Sequence, residues 1–159
     1  MRVAVVTCSH RGDDARIAHR QIRALLDAGH SVTLVAPDPT PFAHPGFEHV
    51  LVPRSVGRRR LGAWRAVRRA VGPLRPDLVL VHDIELLPVI PRSVRCPLVW
   101  DVHEDYVAAA SDRAWLPSWA RGAASLAARV LERSAARRYR LIVAEESYRS
   151  RHPEAPVVP

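Results

Sequence analysis

The sequence contains no lysine and no asparagine, and it has little cysteine, methionine and glycine. All 24 basic residues are therefore arginine, and against 16 acidic residues they give a formal net charge of +8. The two cysteines, Cys8 and Cys96, lie far apart and outside any CxxC or Cys/His cluster. This spacing excludes a disulfide framework and a structural zinc site, and we expect a reducing, cytoplasmic environment.

Long hydrophobic runs are also missing. No apolar run approaches the roughly 20 residues that a membrane-spanning helix needs, and the apolar stretch at residues 3–6 is too short for a signal-peptide core. The 159 residues, with 48% hydrophobic and 25% charged side chains, predict one cytoplasmic domain over residues 1–159 with a sizeable core.

Short β-branched runs alternate with amphipathic segments along the chain. The runs predict strands at residues 3–7, 31–36, 47–52, 78–81, 98–102 and 141–144. Helices are predicted at residues 15–28, ending at Gly29, at 59–71, ending at Gly72-Pro73, and at 115–138. Because the strands are apolar throughout, we expect an α/β fold with a Rossmann-like parallel sheet sandwiched by helices.

The two later helices each have a predicted core-facing side. On the helix at 59–71 the inward residues are Leu61, Trp64, Val67 and Val71, opposite Arg65, Arg68 and Arg69. On the helix at 115–138 they are Leu116, Ala120, Ala123, Ala127, Val130 and Leu131.

Several common site motifs are absent. The first turn, residues 8–16 (CSHRGDDAR), has one glycine and neither GxGxxG nor GxxxxGK[ST], which argues against a classical dinucleotide dehydrogenase and a P-loop nucleotidase. The His103-Glu104-Asp105 run is not HExxH, and we assign no metal. No helix-turn-helix, RNP, KH or zinc motif accompanies the positive charge, so we expect no nucleic-acid partner.

Ionisable side chains gather where the predicted strands end. Ligands of open parallel sheets sit at the carboxyl ends of the strands, and the residues there are His10, Arg11, Asp13, Asp14, His82, Asp83, Glu85, His103, Glu104, Asp105, Glu145 and Glu146. Such residues can instead serve only as helix caps or loop partners.

His103 is the best single candidate for chemistry, because it follows a buried strand and an imidazole can donate a hydrogen bond or carry a proton near neutral pH. Asp101, on the same strand face, could fix its tautomer. The alternative for His103 is a histidine satisfied by a loop carbonyl.

Five segments together resemble the N-terminal, acceptor-binding domain of family 4 glycosyltransferases of the GT-B fold. They are residues 13–17 (DDARI), 24–35 (ALLDAGHSVTLV), 75–78 (RPDL), 82–88 (HDIELLP) and 101–106 (DVHEDY). In the first loop Arg11-Gly12-Asp13-Asp14 replaces the usual Gly-Gly pair, as in the DARI-type subgroup.

This resemblance implies one half of a GT-B enzyme that transfers a sugar, with retention, from a nucleotide-sugar donor to a glycan, lipid-linked or small-molecule acceptor. It implies that His103 is catalytic, and that the substrate-binding residues are Asp13, Asp14, Arg16, His82, Asp83, Glu85, Glu104 and Asp105. The nucleotide-sugar is a co-substrate, and no other cofactor is implied. The donor-binding domain is absent from these residues, so we expect a longer chain or a partner chain to supply it.

Two arginine groups remain outside that assignment. Residues 58–60 with Arg65, Arg68 and Arg69 form one, and Arg129, Arg133 and Arg137 form the other. A basic amphipathic helix can lie on an anionic membrane surface, here the inner face; the alternative is a solvated arginine face. The competing function is a non-catalytic Rossmann-like module that docks on a partner chain or on such a membrane.

Overall fold

A computed structural model describes residues 1–40, 42–103 and 118–158. The chain divides into two compact units, residues 1–98 and 99–159. In both units the strands pair in parallel and alternate with helices. The predicted α/β, Rossmann-like fold class is therefore confirmed.

The first unit contains four strands. They are β1 (Arg2–Val6), β2 (Ser31–Ala36), β3 (Phe47–Leu51) and β4 (Leu78–Val81), and they pair in the order β3-β2-β1-β4. From its second residue on, β1 is fully buried, as are the last three residues of β2 and of β4. The near-continuous apolar runs in the sequence are explained by strands that are covered on both faces.

Helix α1 connects β1 to β2 and consists of a π-helical segment, Ala15–Ile22, followed by an α-helical segment, Arg23–Asp27. The Asp14 carboxylate caps it by accepting hydrogen bonds from the main-chain N–H groups of Arg16 (2.9 Å) and Ile17 (3.1 Å). Gly29, with φ of 78°, ends the helix as predicted, because glycine adopts this left-handed conformation without strain. The cap fixes the helix start directly beside the loop after β1.

Helix α2 (Arg60–Leu74) follows a 3-10 turn at Gly57–Arg59. The predicted end at Gly72-Pro73 is wrong, since the helix includes Pro73 and ends where Arg75 adopts a left-handed φ of 45°. A proline lacks the main-chain N–H and crowds the carbonyl four residues earlier, and Pro73 lies one residue before the end of the helix, so no further turn follows it.

The buried face of α2 differs from its predicted face at one end. Val67 and Val71 are fully buried as predicted and Trp64 is half-buried, but Leu61 is 58% exposed, and Ala63 is buried in its place. The helix begins at residue 60, so Leu61 lies in the first turn and points away from the core. The arginines at 65, 68 and 69 are exposed.

The second unit contains β5 (Leu98–Val102), α3 (Ser118–Ala135) and β6 (Arg140–Val143). β5 and β6 pair in parallel, and Val157 forms a single parallel bridge with Val143. The two predicted strands are present, β6 one residue earlier than expected, and the helix ends three residues before the predicted residue 138. The predicted helix start, at residue 115, lies outside the described residues. Within the described part of the chain, no helix has both the length and the apolar character needed to cross a membrane.

The predicted inward face of α3 is wrong. Ala123, Ala127 and Val130 are exposed and Leu131 is half-buried, whereas the buried positions among the described side chains are Ala128, Glu132 and Ala135. Leu116 and the side chain of Ala120 lie outside the described part of the chain. Alanine residues occur on every face of this helix, so the hydrophobic pattern of its sequence does not single out one face. The buried side also includes Glu132, a charged residue that an apolar pattern would predict to be exposed.

The two faces of α2 can be compared directly. We predict that Val67→Ala lowers the free energy of unfolding by about 2 kcal/mol, because it removes two buried methyl groups and leaves a cavity. Leu61→Ala removes more atoms than Val67→Ala, but it changes the free energy of unfolding by less than about 0.5 kcal/mol, because the Leu61 side chain is exposed to solvent. Urea unfolding of both variants is the measurement; equal losses would contradict the assigned face.

Candidate functional site

The site in the first unit is built around the carboxylate of Asp83. One of its oxygens, Oδ2, accepts hydrogen bonds from the Thr7 hydroxyl (2.9 Å) and from the main-chain N–H groups of Cys8 (2.6 Å) and Ser9 (3.2 Å). Asp83 follows β4 and the three donors follow β1; the carboxyl ends of these parallel neighbours share one edge of the sheet. Asp83 is only 4% exposed, and three donors compensate the cost of burying its charge.

A second carboxylate, that of Glu85, lies beside the first. Its Oε1 atom accepts from the hydroxyl of Ser9 (3.4 Å), from the thiol of Cys8 (3.5 Å) and from the hydroxyl of Ser55. Its Oε2 atom is 3.9 Å from the guanidinium of Arg60 at the start of α2. Glu85 therefore joins the loops after β1, β3 and β4 to the start of a helix.

Arg54 adds a further connection between these loops. Its guanidinium donates to the Ser9 carbonyl at 2.7 Å and forms an ion pair with Asp38, which follows β2. The main-chain N–H of Ser55 donates to the Cys8 carbonyl at 2.8 Å. The loops after all four strands of this unit thus meet around residues 7–9. We call this set, residues 7–14, 38, 54, 55, 60, 83 and 85, the rim.

Gly12 allows the rim loops to approach each other closely. A Cβ atom at this position would lie 2.7 Å from the carbonyl oxygen of Asp38 and 3.2 Å from that of Pro39. Both are main-chain atoms, so a side chain would push the loops apart. The one glycine of the first turn therefore serves loop packing.

His10 lies between two carboxylates of the rim. Its Nε2 atom is 3.4 Å from Asp83 Oδ1, and its Nδ1 atom is 3.8 Å from Asp14 Oδ2. The ring is about one-fifth exposed, so it is both oriented and accessible. Asp14 also caps α1, and the histidine is therefore tied to the start of that helix.

The Cys8 thiol is protonated. Burial raises its pKa, and the nearby negative charges of Asp83 and Glu85 raise it further. A neutral thiol is a weak hydrogen-bond donor and a poor nucleophile. Cys8 therefore stabilises the rim through its hydrogen bonds to Asp83 and Glu85, and it is not a covalent catalyst at neutral pH.

The other predicted residues of the first unit occupy different surroundings. Asp13 is partly exposed and forms an ion pair with Arg11 at 2.9 Å, and Arg16 is half-buried in the first turn of α1. His82 is fully buried, and its main-chain N–H donates to the carbonyl at the end of β1 (3.1 Å). The rim thus unites Asp13, Asp14, Asp83 and Glu85, while His82 lies in the core beneath it.

His103 belongs to the second unit, directly after β5. Its Nδ1 atom is 3.1 Å from the main-chain carbonyl oxygen of Asp101, an acceptor that favours the tautomer protonated at Nδ1. The Tyr148 hydroxyl donates to the main-chain carbonyl of His103 at 3.3 Å. The imidazole is half-buried. The predicted site residues Glu104 and Asp105 lie outside the described residues.

The sequence prediction of the site missed several side chains of the rim, among them those of Arg54 and Ser55. A usable signal was present, because Arg54 and Ser55 follow β3 just as Glu85 follows β4, and the strand-end rule applies to every strand of a parallel sheet. The strand-end residues identified from the sequence included none after β2 or β3, so Asp38, Arg54 and Ser55 were missed.

Parallel strands, connecting helices and a polar rim at the carboxyl edge define an α/β domain of the Rossmann type. Residues 15–148 match the sequence model of the family described as "Glycosyl transferase 4-like domain", and the chain belongs to that family. No curated protein matches the chain.

Two solved structures share the fold. The chain is 19% identical to AviGT4, described as a glycosyltransferase involved in avilamycin A biosynthesis, with a TM-score of 0.54 over 99% of this chain and 41% of that one. It is 12% identical to the Bordetella bronchiseptica enzyme WbmH, solved in complex with NAD+, with a TM-score of 0.51 over 89% of this chain and 53% of that one. The chain thus spans about half the length of each.

The raised pKa of Cys8 predicts how stability depends on alkaline pH. Above about pH 9 the unfolded chain loses its thiol proton while the folded chain keeps it, so the free energy of unfolding falls as pH rises, by up to about 1.4 kcal/mol per pH unit. Burial also raises the pKa of Tyr139 to about 12, which adds to the fall above about pH 10.

Urea unfolding between pH 8 and pH 10 tests this expectation. Cys8→Ala removes the contribution of the Cys8 thiol. The free energy of unfolding of this variant therefore falls less steeply between pH 8 and pH 10 than that of the unmodified protein. Parallel profiles for the two proteins would show that Cys8 ionises equally in the folded and unfolded chains.

Proposed function

We propose that this chain is the acceptor-side half of a retaining GT-B glycosyltransferase. It would transfer a sugar from a nucleotide-sugar donor to a glycan, lipid-linked or small-molecule acceptor. Membership of the glycosyl transferase 4-like family supports this proposal. The observation that carries it is the rim, four loops held around buried Asp83 at the edge where α/β sheets bind their ligands.

The rim residues divide into two roles in this proposal. The carboxylate of Asp83 is occupied by donors from residues 7–9, so we infer that Asp83 is a positioning residue. Asp13, Asp14, Arg16 and Glu85 are the proposed substrate-binding residues of the first unit. The resemblance extends this role to Glu104 and Asp105, which lie outside the described residues. His82, which is buried, supports the loop that carries Asp83.

His103 is the proposed catalytic residue, in contact with the transferred sugar. The bond between the anomeric carbon and the donor diphosphate breaks, and the acceptor hydroxyl bonds to that carbon on the same face. The proton of the hydroxyl passes to the departing phosphate oxygen. We assign no metal or other cofactor to this step, and cationic side chains and helix N-termini would stabilise the departing diphosphate.

The first loop supports a finer assignment. Residues 13–17 read DDARI, and Asp14 caps α1 while Gly12 packs against the loop after β2. The turn has a single glycine, so the adjacent glycine pair usual in the family is missing. We propose on this basis that the chain belongs to the DARI-type subgroup.

The donor-binding half is proposed to lie outside these residues. The chain spans 41% and 53% of the two solved structures that share its fold, and GT-B enzymes need a second Rossmann domain for the nucleotide-sugar. That domain would come from a longer chain or from a separate partner chain.

The test is sugar transfer by this chain combined with its donor-binding half, with a panel of nucleotide-sugars and release of nucleoside diphosphate as the readout. We predict that His103→Ala lowers kcat by about a hundredfold, the usual loss when one hydrogen-bond donor that stabilises the transition state is removed. His30→Ala, at the amino end of β2, is the matched control and leaves kcat unchanged.

Two results would count against this account. Full activity of His103→Ala would remove the residue from the mechanism. Absence of transfer with every donor, while the chain still binds its partner half, would favour the competing function of a non-catalytic assembly module.

A further inference from the structure

The second unit carries a cavity that the proposed function does not use. It has a volume of about 540 Å³ and is lined by Arg129, Glu132, Arg133, Ala136, Arg151 and His152. Three of these six residues carry a guanidinium and one carries a carboxylate. We propose that this cavity binds the phosphate or diphosphate group of a small molecule or of a lipid head group.

The one acidic residue of the cavity is already neutralised within the protein. Glu132 is 8% exposed, and its Oε2 atom is 2.5 Å from a terminal guanidinium nitrogen of Arg151. This pair fixes Arg151, which follows the 3-10 turn at Glu146–Ser150, against α3. The carboxylate therefore organises the cavity wall without cancelling the remaining charge.

Arg129 and Arg133 supply that remaining charge. They lie four residues apart on α3, so they project from the same face of the helix, and both are exposed. Neither one forms an ion pair with another of the described residues. Like charges at this spacing repel each other, and an anion between them removes the repulsion.

The chemistry of the lining selects a phosphate group. Guanidinium groups present parallel N–H donors that match the oxygens of phosphate in a bidentate arrangement. His152 is half-buried and its ring packs edge-on against Trp100 with centroids 6.3 Å apart, which orients a further polar ring at the cavity wall. The volume suits a diphosphate or a phosphorylated head group.

The experiment titrates the full chain with inorganic pyrophosphate by isothermal calorimetry in a phosphate-free buffer. We expect Arg129→Gln/Arg133→Gln to weaken binding about tenfold or more. The matched control is Arg20→Gln/Arg23→Gln, which removes the same charge from exposed positions of α1 and leaves the affinity within about twofold. Glutamine favours helix, so both variants are expected to fold, and circular dichroism verifies this.

A second arm distinguishes the two sources of the phosphate group. It measures sedimentation with vesicles of four parts phosphatidylcholine to one part phosphatidic acid. Loss of vesicle binding in the α3 variant, but not in the α1 variant, assigns the cavity to a lipid head group. Pyrophosphate binding that vesicles do not compete for assigns it to a free phosphorylated molecule.

Two outcomes overturn the proposal. The first is that neither pyrophosphate nor the vesicles bind to the unmodified chain. The second is that the α1 variant loses affinity as much as the α3 variant, because binding would then follow net charge and not the cavity. Neither outcome bears on sugar transfer, which is tested separately through His103.

Discussion

The buried carboxylate of Asp83 is the contact on which the rim depends. Taking a carboxylate out of water is unfavourable unless donors replace the lost hydration, and here the donors all come from one neighbouring loop, residues 7–9. The same bonds satisfy two main-chain N–H groups that have no strand partner. The loop after β1 is thereby held in one conformation at the carboxyl edge of the sheet.

Other contacts of the rim build on that conformation. Once residues 7–9 are fixed, their side chains and carbonyls can accept or donate to Glu85, Ser55 and Arg54. His10 follows in sequence and reaches both Asp83 and the capping residue Asp14. A pre-organised rim of this kind holds polar groups in place before a ligand arrives, which reduces the entropic cost of binding.

Much of the fold could be predicted from the sequence, because strands buried on both faces leave short β-branched runs that few other structures produce. The end of α1 at Gly29 was also predictable, because the residue after a helix often adopts a left-handed φ, which glycine accommodates without strain. The faces of α2 and α3 were harder to predict. Leu61 lies in a first turn outside the core, and Glu132 is buried by a partner 19 residues away in sequence, Arg151.

The site was predictable only in outline. The rule that ligands bind at the carboxyl ends of parallel strands correctly placed Asp83, Glu85, Asp13 and Asp14 at one edge of the sheet. It could not show that Asp83 is buried and accepts hydrogen bonds from Thr7, Cys8 and Ser9. That arrangement depends on pairings between residues more than 70 positions apart, which local patterns do not encode.

The central claim is that the Asp83 carboxylate holds the loop after β1. Amide hydrogen exchange at Cys8 and Ser9 tests it most directly, by comparison of the unmodified chain with Asp83→Ala. We predict that exchange at these two amides accelerates by about tenfold or more, while the amides of Leu34 and Val35 in β2 keep their protection. Unchanged protection at Cys8 and Ser9 in the variant would contradict the account.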